Sequence, residues 1–356
     1  MAKSSSSKMK DTRGQHGASQ LPGLTIDSYN LALRTDDGEG FIGDRASQTA
    51  FRELLDAQRK HHFTGKKDPF GKTPTVELGK KEIDLVLVGG DADAAHLVHA
   101  AVEEYAQRLA EVIRCFLAHP RWHKVERIVL GGGFPESQVA GLAIRRAACL
   151  LEHAGTDVAL CPLQHDGDEA GLLGWVQLVP EPVYKAYDAF LAVDVGGSNI
   201  RCGIVEHRLD RAKSGAKARV VEHSQWRHAE DDPKRSEAVT RLAGMLNGLI
   251  AQARTVGIGL APFVGIACPG QIRPDGGIAQ GAQNLPGDWE APKFNLPKAV
   301  EALLDPIDGQ TPAVVMHNDA VVQGLSERTR MRGARRWGVM TIGTGLGNAS
   351  FSEAKG

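Results

Sequence analysis

Short apolar runs that end in glycine and give way to segments with helical periodicity recur along this chain. That alternation restricts it to an α/β architecture. VERIVLGGGFPES, residues 125–137, reads as a buried strand ending in a glycine turn, and QVAGLAIRRAACLLEHAG follows as a helix. Upstream, Leu97, Ala101, Tyr105, Leu109, Val112 and Phe116 are spaced by threes and fours, which predicts one long helix that Pro120 stops. TDVALCPLQ reads as another strand and DGDEAGLLGWVQLV as another helix. After the joint PEPVYKAYD the pattern restarts with AFLAVDVGGSNIRCGIVEHR, two apolar strands separated by a glycine turn. The helix RSEAVTRLAGMLNGLIAQARTVG comes next. Earlier, IDLVLVGGDADAA is open between a short strand and the approach to a helix, because two adjacent glycines suit either.

At 356 residues the chain is long for a single core, so two compact α/β lobes are expected. A formal net charge of -1 gives no general pull toward nucleic acid or an anionic membrane, and neither is expected as a partner. The longest apolar stretches are strand-sized, short of the ~20 residues that span a bilayer. Residues 1–20 are polar, lack the apolar core of a secretory signal, and are expected to form a disordered tail. Cys115, Cys149, Cys161, Cys202 and Cys268 form no CxxC pair, which fits reduced thiols and a cytoplasmic location. Cys161 with His165 and Asp166 reads as a surface loop rather than a metal site.

The chemistry concentrates in a few turns. In AVDVGGSNIRCGIVE, Asp194 ends a strand and precedes Gly196, Gly197, Ser198 and Asn199. Missing Cβ atoms let backbone N–H groups approach phosphoryl oxygens. Asp194 is placed to hold Mg²⁺, directly or through water, with Arg201 neutralising charge nearby. Taken alone, the same segment is equally a tight hairpin in a buried sheet. TIGTGLGNASF offers a second turn with Gly343, Thr344 and Gly345. Neither matches GxxxxGK[ST] or GxGxxG, so a P-loop or dinucleotide site is not expected. VVMHNDAVVQGLSE places Asn318 and Asp319 where a strand enters a helix. A carboxylate there can take a proton from an attacking hydroxyl, although an isolated Asn-Asp is ordinarily a helix cap. In GIACPGQIRPDGGIAQGAQNLPGDW, Pro269 and Gly270 shape a turn and Asn284 can bond sugar hydroxyls; a surface loop anchored by Trp289 is the plain alternative.

Together these stretches resemble the ROK family (repressors, open reading frames and sugar kinases) of the actin/Hsp70/sugar-kinase superfamily. The segment from Asp194 to Arg201 resembles its first phosphate motif, TIGTGLG its second, and GIACPGQIRPDGGIAQGAQNLPGDW its substrate-side segment. VVMHNDAVVQGLSE resembles the segment with the catalytic aspartate, which assigns that role to Asp319. VERIVLGGGFPES resembles the adenosine motif, giving Gly131, Gly132, Gly133 and Phe134 to the nucleoside, and GDEAGLLGW resembles the closing helix. Both normally follow the second phosphate motif and here precede the first, which implies a circular permutation. The resemblance implies a two-lobed actin-like (ribonuclease H-like) fold. Its lobes would be a nucleotide-side lobe over 21–180, a joint over 181–189, a sugar-side lobe over 190–335, and a phosphate hairpin over 336–356 returning to the first.

The activity so implied is ATP- and Mg²⁺-dependent phosphorylation of a hexose, glucose first, with the lobes closing on the reactants. The partner would be a small-molecule sugar, and a homodimer is the assembly to look for. The cysteine-rich, zinc-holding stretch of some family members is absent. Three alternatives stay open: an ATP- or sugar-binding regulator without turnover, an actin-like ATPase, and a kinase that uses polyphosphate as donor.

Overall fold

The computed structural model describes residues 11–62, 68–89, 91–209, 212 and 215–354. In chain order its strands are β1 (Gln20–Leu21), β2 (Leu24–Tyr29), β3 (Arg127–Gly131), β4 (Ala159–Pro162), β5 (Ala189–Val195), β6 (Ile200–Glu206), β7 (Arg219–Trp226), β8 (Leu260–Cys268), β9 (Ala313–Asn318), β10 (Arg336–Ile342) and β11 (Leu346–Glu353). The chain divides into two compact α/β units. The first takes the described residues up to Asn30, Asp168–Arg335 and those from Phe351 on. The second takes Leu31–Gly167 and Arg336–Ser350.

In the first unit a five-stranded sheet runs β7-β6-β5-β8-β9. β7, β6 and β5 are antiparallel neighbours, whereas β5, β8 and β9 are parallel. Parallel strands need crossover connections, and the helix Arg235–Val256 supplies one between β7 and β8. Gly257, at φ +73°, ends that helix in the left-handed conformation. Val193, Ile204, Leu242, Leu246, Ile266 and Met316 belong to one buried cluster. The register sets Asp194 opposite Arg201 on one side and Ala267 on the other, and sets Cys268 opposite Asn318. Asp194, Cys268 and Asn318 therefore stand at the carboxyl ends of three adjacent parallel strands.

The second unit carries β10, β3 and β4 as parallel neighbours, with Thr341 opposite Gly131. Its long helix, Ala92–Ala118, buries Leu97, Ala101, Tyr105, Leu109, Val112 and Phe116 to 1% exposure or less, the six residues that the spacing selects. The Asp91 side chain accepts from the N–H groups of Asp93 and Ala94 and so caps its start. Asp91→Ala should cost about 1 kcal/mol of stability, read as a lowered chemical-denaturation midpoint with unchanged slope.

Three expectations change. IDLVLV is helical, within Lys80–Val88, because Gly79 N–H bonds to Glu82 and the i, i+4 pair Ile83 and Leu87 is buried. Gly90, the second glycine behind the ambiguity, lies outside the described residues. The chain passes between units at residues 167–168 rather than at 181–189. Leu172 and Trp175 lie against Gly203 and Gly265 of the first unit's sheet, which draws residues 168–180 there. Lastly, residues 11–20 are packed rather than tail-like, and residues 21–30 join the first unit with them. Gly14 N–H bonds to Leu178 O at 3.0 Å and Gly17 N–H to Met316 O at 3.0 Å. Residues 1–10 of the expected tail, and residues 63–67 of the turn expected after the helix Gln48–His62, lie outside the described residues. Among the described residues no helix is long and apolar enough to cross a membrane.

Candidate active site

β9 ends at Asn318, and the helix Asp319–Ser326 starts at once. Asn318 makes that junction rigid. Its side-chain oxygen accepts from Val321 N–H at 3.2 Å, and its amide donates to Gly270 O at 3.0 Å. Gly270 has φ +103°, a conformation that glycine adopts freely. Asp319 sits in the first turn, one carboxylate oxygen accepting from Ala320 N–H at 2.8 Å. Burial first, then the charge of Asp194, pushes its pKa up to about 7, against the pull of Ala320 N–H. Asp319 is thus a carboxyl group able to exchange a proton near neutrality.

Asp194 lies two strands away at the end of β5. Burial raises its pKa above the usual carboxylate range, Arg201 opposes that shift, and Asp168 reinforces it. Arg201 pairs with Asp168 at 2.5 Å and with Asp194 at 3.5 Å, and its Nε is buried without a hydrogen-bond partner. Asp168 lies in the first turn of the helix Gly167–Leu173, which crosses close over Asp194. A Cβ on Gly171 would come within 2.6 Å of the Asp194 Cγ, so a larger residue there would push the carboxylate out of its place. Between the two aspartates, Cys268 is buried, and burial with both carboxylates lifts its thiol well above its usual range.

The turn after Asp194 is closed by Gly196 N–H donating to Asn199 O at 2.8 Å. It is braced from outside by His228, whose Nε2 contacts Gly196 O at 2.8 Å, and by Ala229 N–H donating to Ser198 O at 3.2 Å. Gln225 donates to the Asn199 side chain at 3.2 Å. Pro269 adjoins this group next to Gly270, while Asn284 is exposed on the loop after β8.

In the second unit two glycine turns lie side by side. Gly132, at φ +86°, packs so tightly on Ile342 that a Cβ would fall 2.6 Å from its carbonyl oxygen. Gly131–Gly133 and the Gly343–Gly345 turn are thus adjacent across the β3–β10 pair. Gln48 N–H bonds to Gly343 O at 2.9 Å and the Thr49 hydroxyl to Thr344 O at 3.0 Å. Phe134 differs from expectation. It is 3% exposed, its ring packed on Phe51 and Tyr105 with centroids 5.1 and 5.3 Å away, so most of its ring belongs to the core.

Among the described residues no group of three or more His, Cys, Asp and Glu could hold a metal ion alone. The residues present nevertheless fit a magnesium–phosphate group. Burial raises the pKa of both Asp194 and Asp319, the charge of Asp194 adds to the shift of Asp319 and that of Asp168 to the shift of Asp194, a strain that a divalent cation would relieve, and Arg201 has an unsatisfied Nε beside Asp194. Sequence reading did not single out Asp168, Gly171, Cys268, His228 or His317. Only Gly171 had a signal: two glycines three apart inside a helical pattern announce a close approach.

No family model matches this chain, and no curated protein matches it. Solved structures do. A Listeria monocytogenes protein provisionally named an N-acetylmannosamine kinase is 20% identical over 47% of this chain and 48% of its own, at a TM-score of 0.32. A provisionally named sugar kinase from Cytophaga hutchinsonii is 17% identical over 47% and 48%, at 0.35. An exopolyphosphatase from the same organism is 15% identical over 49% and 51%, at 0.23. The chain thus spans about half the length of the solved structures it matches.

Proposed function

We propose that this chain is an ATP-dependent sugar kinase of the ROK type, with an actin-like fold in circularly permuted order, that phosphorylates a hexose hydroxyl, glucose first. The observation that carries the reading is Asp319, a carboxyl group with a pKa near 7, fixed at the carboxyl end of β9 with Asp194 close enough to feel its charge. Asp319 takes the proton of the sugar hydroxyl as its oxygen bonds to the γ-phosphorus. The bond from that phosphorus to the β–γ bridging oxygen breaks in line, and ADP leaves with the electron pair. Asp194 would hold Mg²⁺, which when bound neutralises charge on the phosphates. Arg201 and the Gly196–Asn199 turn, with Ser198 between, would bind phosphoryl oxygens; the Gly343, Thr344 and Gly345 turn and Gly131–Gly133 would take the rest of the nucleotide. Asn284, Asn318, Pro269 and Gly270 would face the sugar.

The permutation is supported by which segments meet. Gly132 touches Ile342, and Gly171 touches Asp194, although each pair is separated in the chain in the reverse of the family order. The deciding experiment is a coupled ADP-release assay with Mg-ATP across a panel of hexoses. Sugar-dependent release supports the kinase. Tight ATP binding with no release on any sugar would move the reading to a regulator, and release with polyphosphate alone would change the donor.

A further inference from the structure

Residues 12–18 contain no glycine-turn or carboxylate motif of the site, yet they reach Asp319 through one fully buried side chain. His317, the last residue before Asn318, is 0% exposed. Its Nδ1 accepts the Asn318 N–H at 2.7 Å, so the ring proton sits on Nε2, which donates to Ala18 O at 2.8 Å. The ring is neutral with both nitrogens used. Asn318, so fixed, caps the helix that begins with Asp319 and holds Gly270 O.

Ala18 is itself held in place. β9 is the last strand of its sheet, and the chain lies along its open side: Met316 N–H donates to His16 Nδ1 at 3.1 Å and Gly17 N–H to Met316 O at 3.0 Å. Gly17, at φ +58°, fits under Tyr29 and Ile272, where a Cβ would meet the Tyr29 hydroxyl at 3.2 Å and Ile272 O at 3.1 Å. The Tyr29 hydroxyl donates to Ile272 O at 3.2 Å, and its ring meets that of His317 edge-on at 5.3 Å.

We infer that His317 is a positioning residue for Asp319, and that residues 16–18 form a strap whose Ala18 carbonyl sets the orientation of the His317 ring. The inference rests on the reading of Asp319 as the base. Its chemistry is that of a relay without proton transfer: the strap orients the ring, the ring fixes the Asn318 backbone, and Asn318 fixes the helix turn that aims the carboxylate. Misplacement of a reacting group by about 1 Å costs on the order of 10²-fold in rate.

The test uses the full chain with three substitutions. His317→Leu removes both ring bonds, His317→Gln retains one donor and one acceptor, and Gly17→Val displaces the strap without touching His317. Expected are a fall in kcat of about tenfold to a hundredfold for His317→Leu and Gly17→Val with sugar KM changed less than about threefold, and recovery to within about fivefold in His317→Gln. A second readout is the Asp319 carboxyl titration followed by NMR, whose midpoint should move in His317→Leu and in Gly17→Val and return toward the parent value in His317→Gln. Lower melting temperatures with unchanged kcat and unchanged Asp319 midpoint would show a purely structural histidine and overturn the inference. If the parent shows no sugar-dependent turnover, the kinase reading fails by itself, and the Asp319 titration alone decides the relay.

Discussion

Asp319→Asn is expected to lower kcat/KM for sugar-dependent ADP release by about 10²–10⁴-fold, the usual contribution of a positioned general base. The substitution keeps size and hydrogen-bonding shape but cannot take a proton, so ATP binding should survive while turnover collapses. The pH profile of the parent is the companion measurement. A base must be unprotonated to act, and the pKa of Asp319 is raised from 3.8 to about 7, so kcat/KM should fall tenfold per unit below about pH 7 and level off above it. Stability runs the other way. A folded-state pKa above the unfolded one gives a contribution that is complete below about pH 4 and is lost as pH rises through 7. Asp319→Asn should therefore melt at or above the parent's temperature at pH 8. Equal turnover in parent and variant would remove Asp319 from the chemistry, and a flat profile between pH 5 and 8 would do so independently.

The second large effect separates function from folding within one helical segment. Gly171→Ala places a methyl group 2.6 Å from the Asp194 Cγ, but the obstacle is the movable end of a side chain. Alanine also favours a helix over glycine by up to about 1 kcal/mol. The variant should fold, with Asp194 pushed aside and Mg-ATP turnover reduced by an order of magnitude or more. Gly174→Ala meets backbone instead, with a Cβ 1.7 Å from Val322 O, which cannot yield without moving the helix Asp319–Ser326. Its loss should appear as destabilisation of several kcal/mol or failure to accumulate, in the range of severe overpacking. Thermal melts together with single-turnover assays distinguish the two. If Gly171→Ala melted far below Gly174→Ala, the placement of this segment over Asp194 would be wrong.

His317 gives a pH term of opposite sign to that of Asp319. Its pKa is lowered from 6.5 to about 4 by burial, the Ala18 bond opposing. Its contribution to stability is complete above pH 6.5 and is lost as pH falls toward 4, about 3 kcal/mol in all. The two terms nearly cancel between about pH 4 and 6.5, so together they predict almost flat stability there and a small loss as pH rises from about 6.5 to 7.

What the sequence revealed follows from which forces leave a pattern in it. Burial does: the six apolar residues of Ala92–Ala118 and the strands around Asp194 and Asp319 were readable because period and apolarity coincide there. Close approach left only a trace, in Gly171 and Gly174. Residues 11–18 left none, since backbone hydrogen bonds and two histidines hold them, and Thr, Arg, Gly and Gln look the same in a packed strap as in a tail. The packing of Phe134 was hidden for the converse reason: a ring after three glycines resembles a ligand contact, and its packing partners, Phe51 and Tyr105, come from segments distant in sequence. The helix Lys80–Val88 was ambiguous because the two glycines after it suit the end of a strand and the approach to a helix alike.

The two margins of the five-stranded sheet are guarded by different means. Along β7, Arg219, Glu222 and His223 put polar and charged groups at the border, a standing deterrent to pairing with foreign strands. β9 reads AVVMHN and has no such deterrent; its Met316 polar groups are satisfied by His16 and Gly17 alone. Lifting residues 16–18 away would bare the backbone edge of β9 at Met316, ready to template intermolecular β-pairing. Heat-induced aggregation of this protein should accordingly begin there, before either core melts.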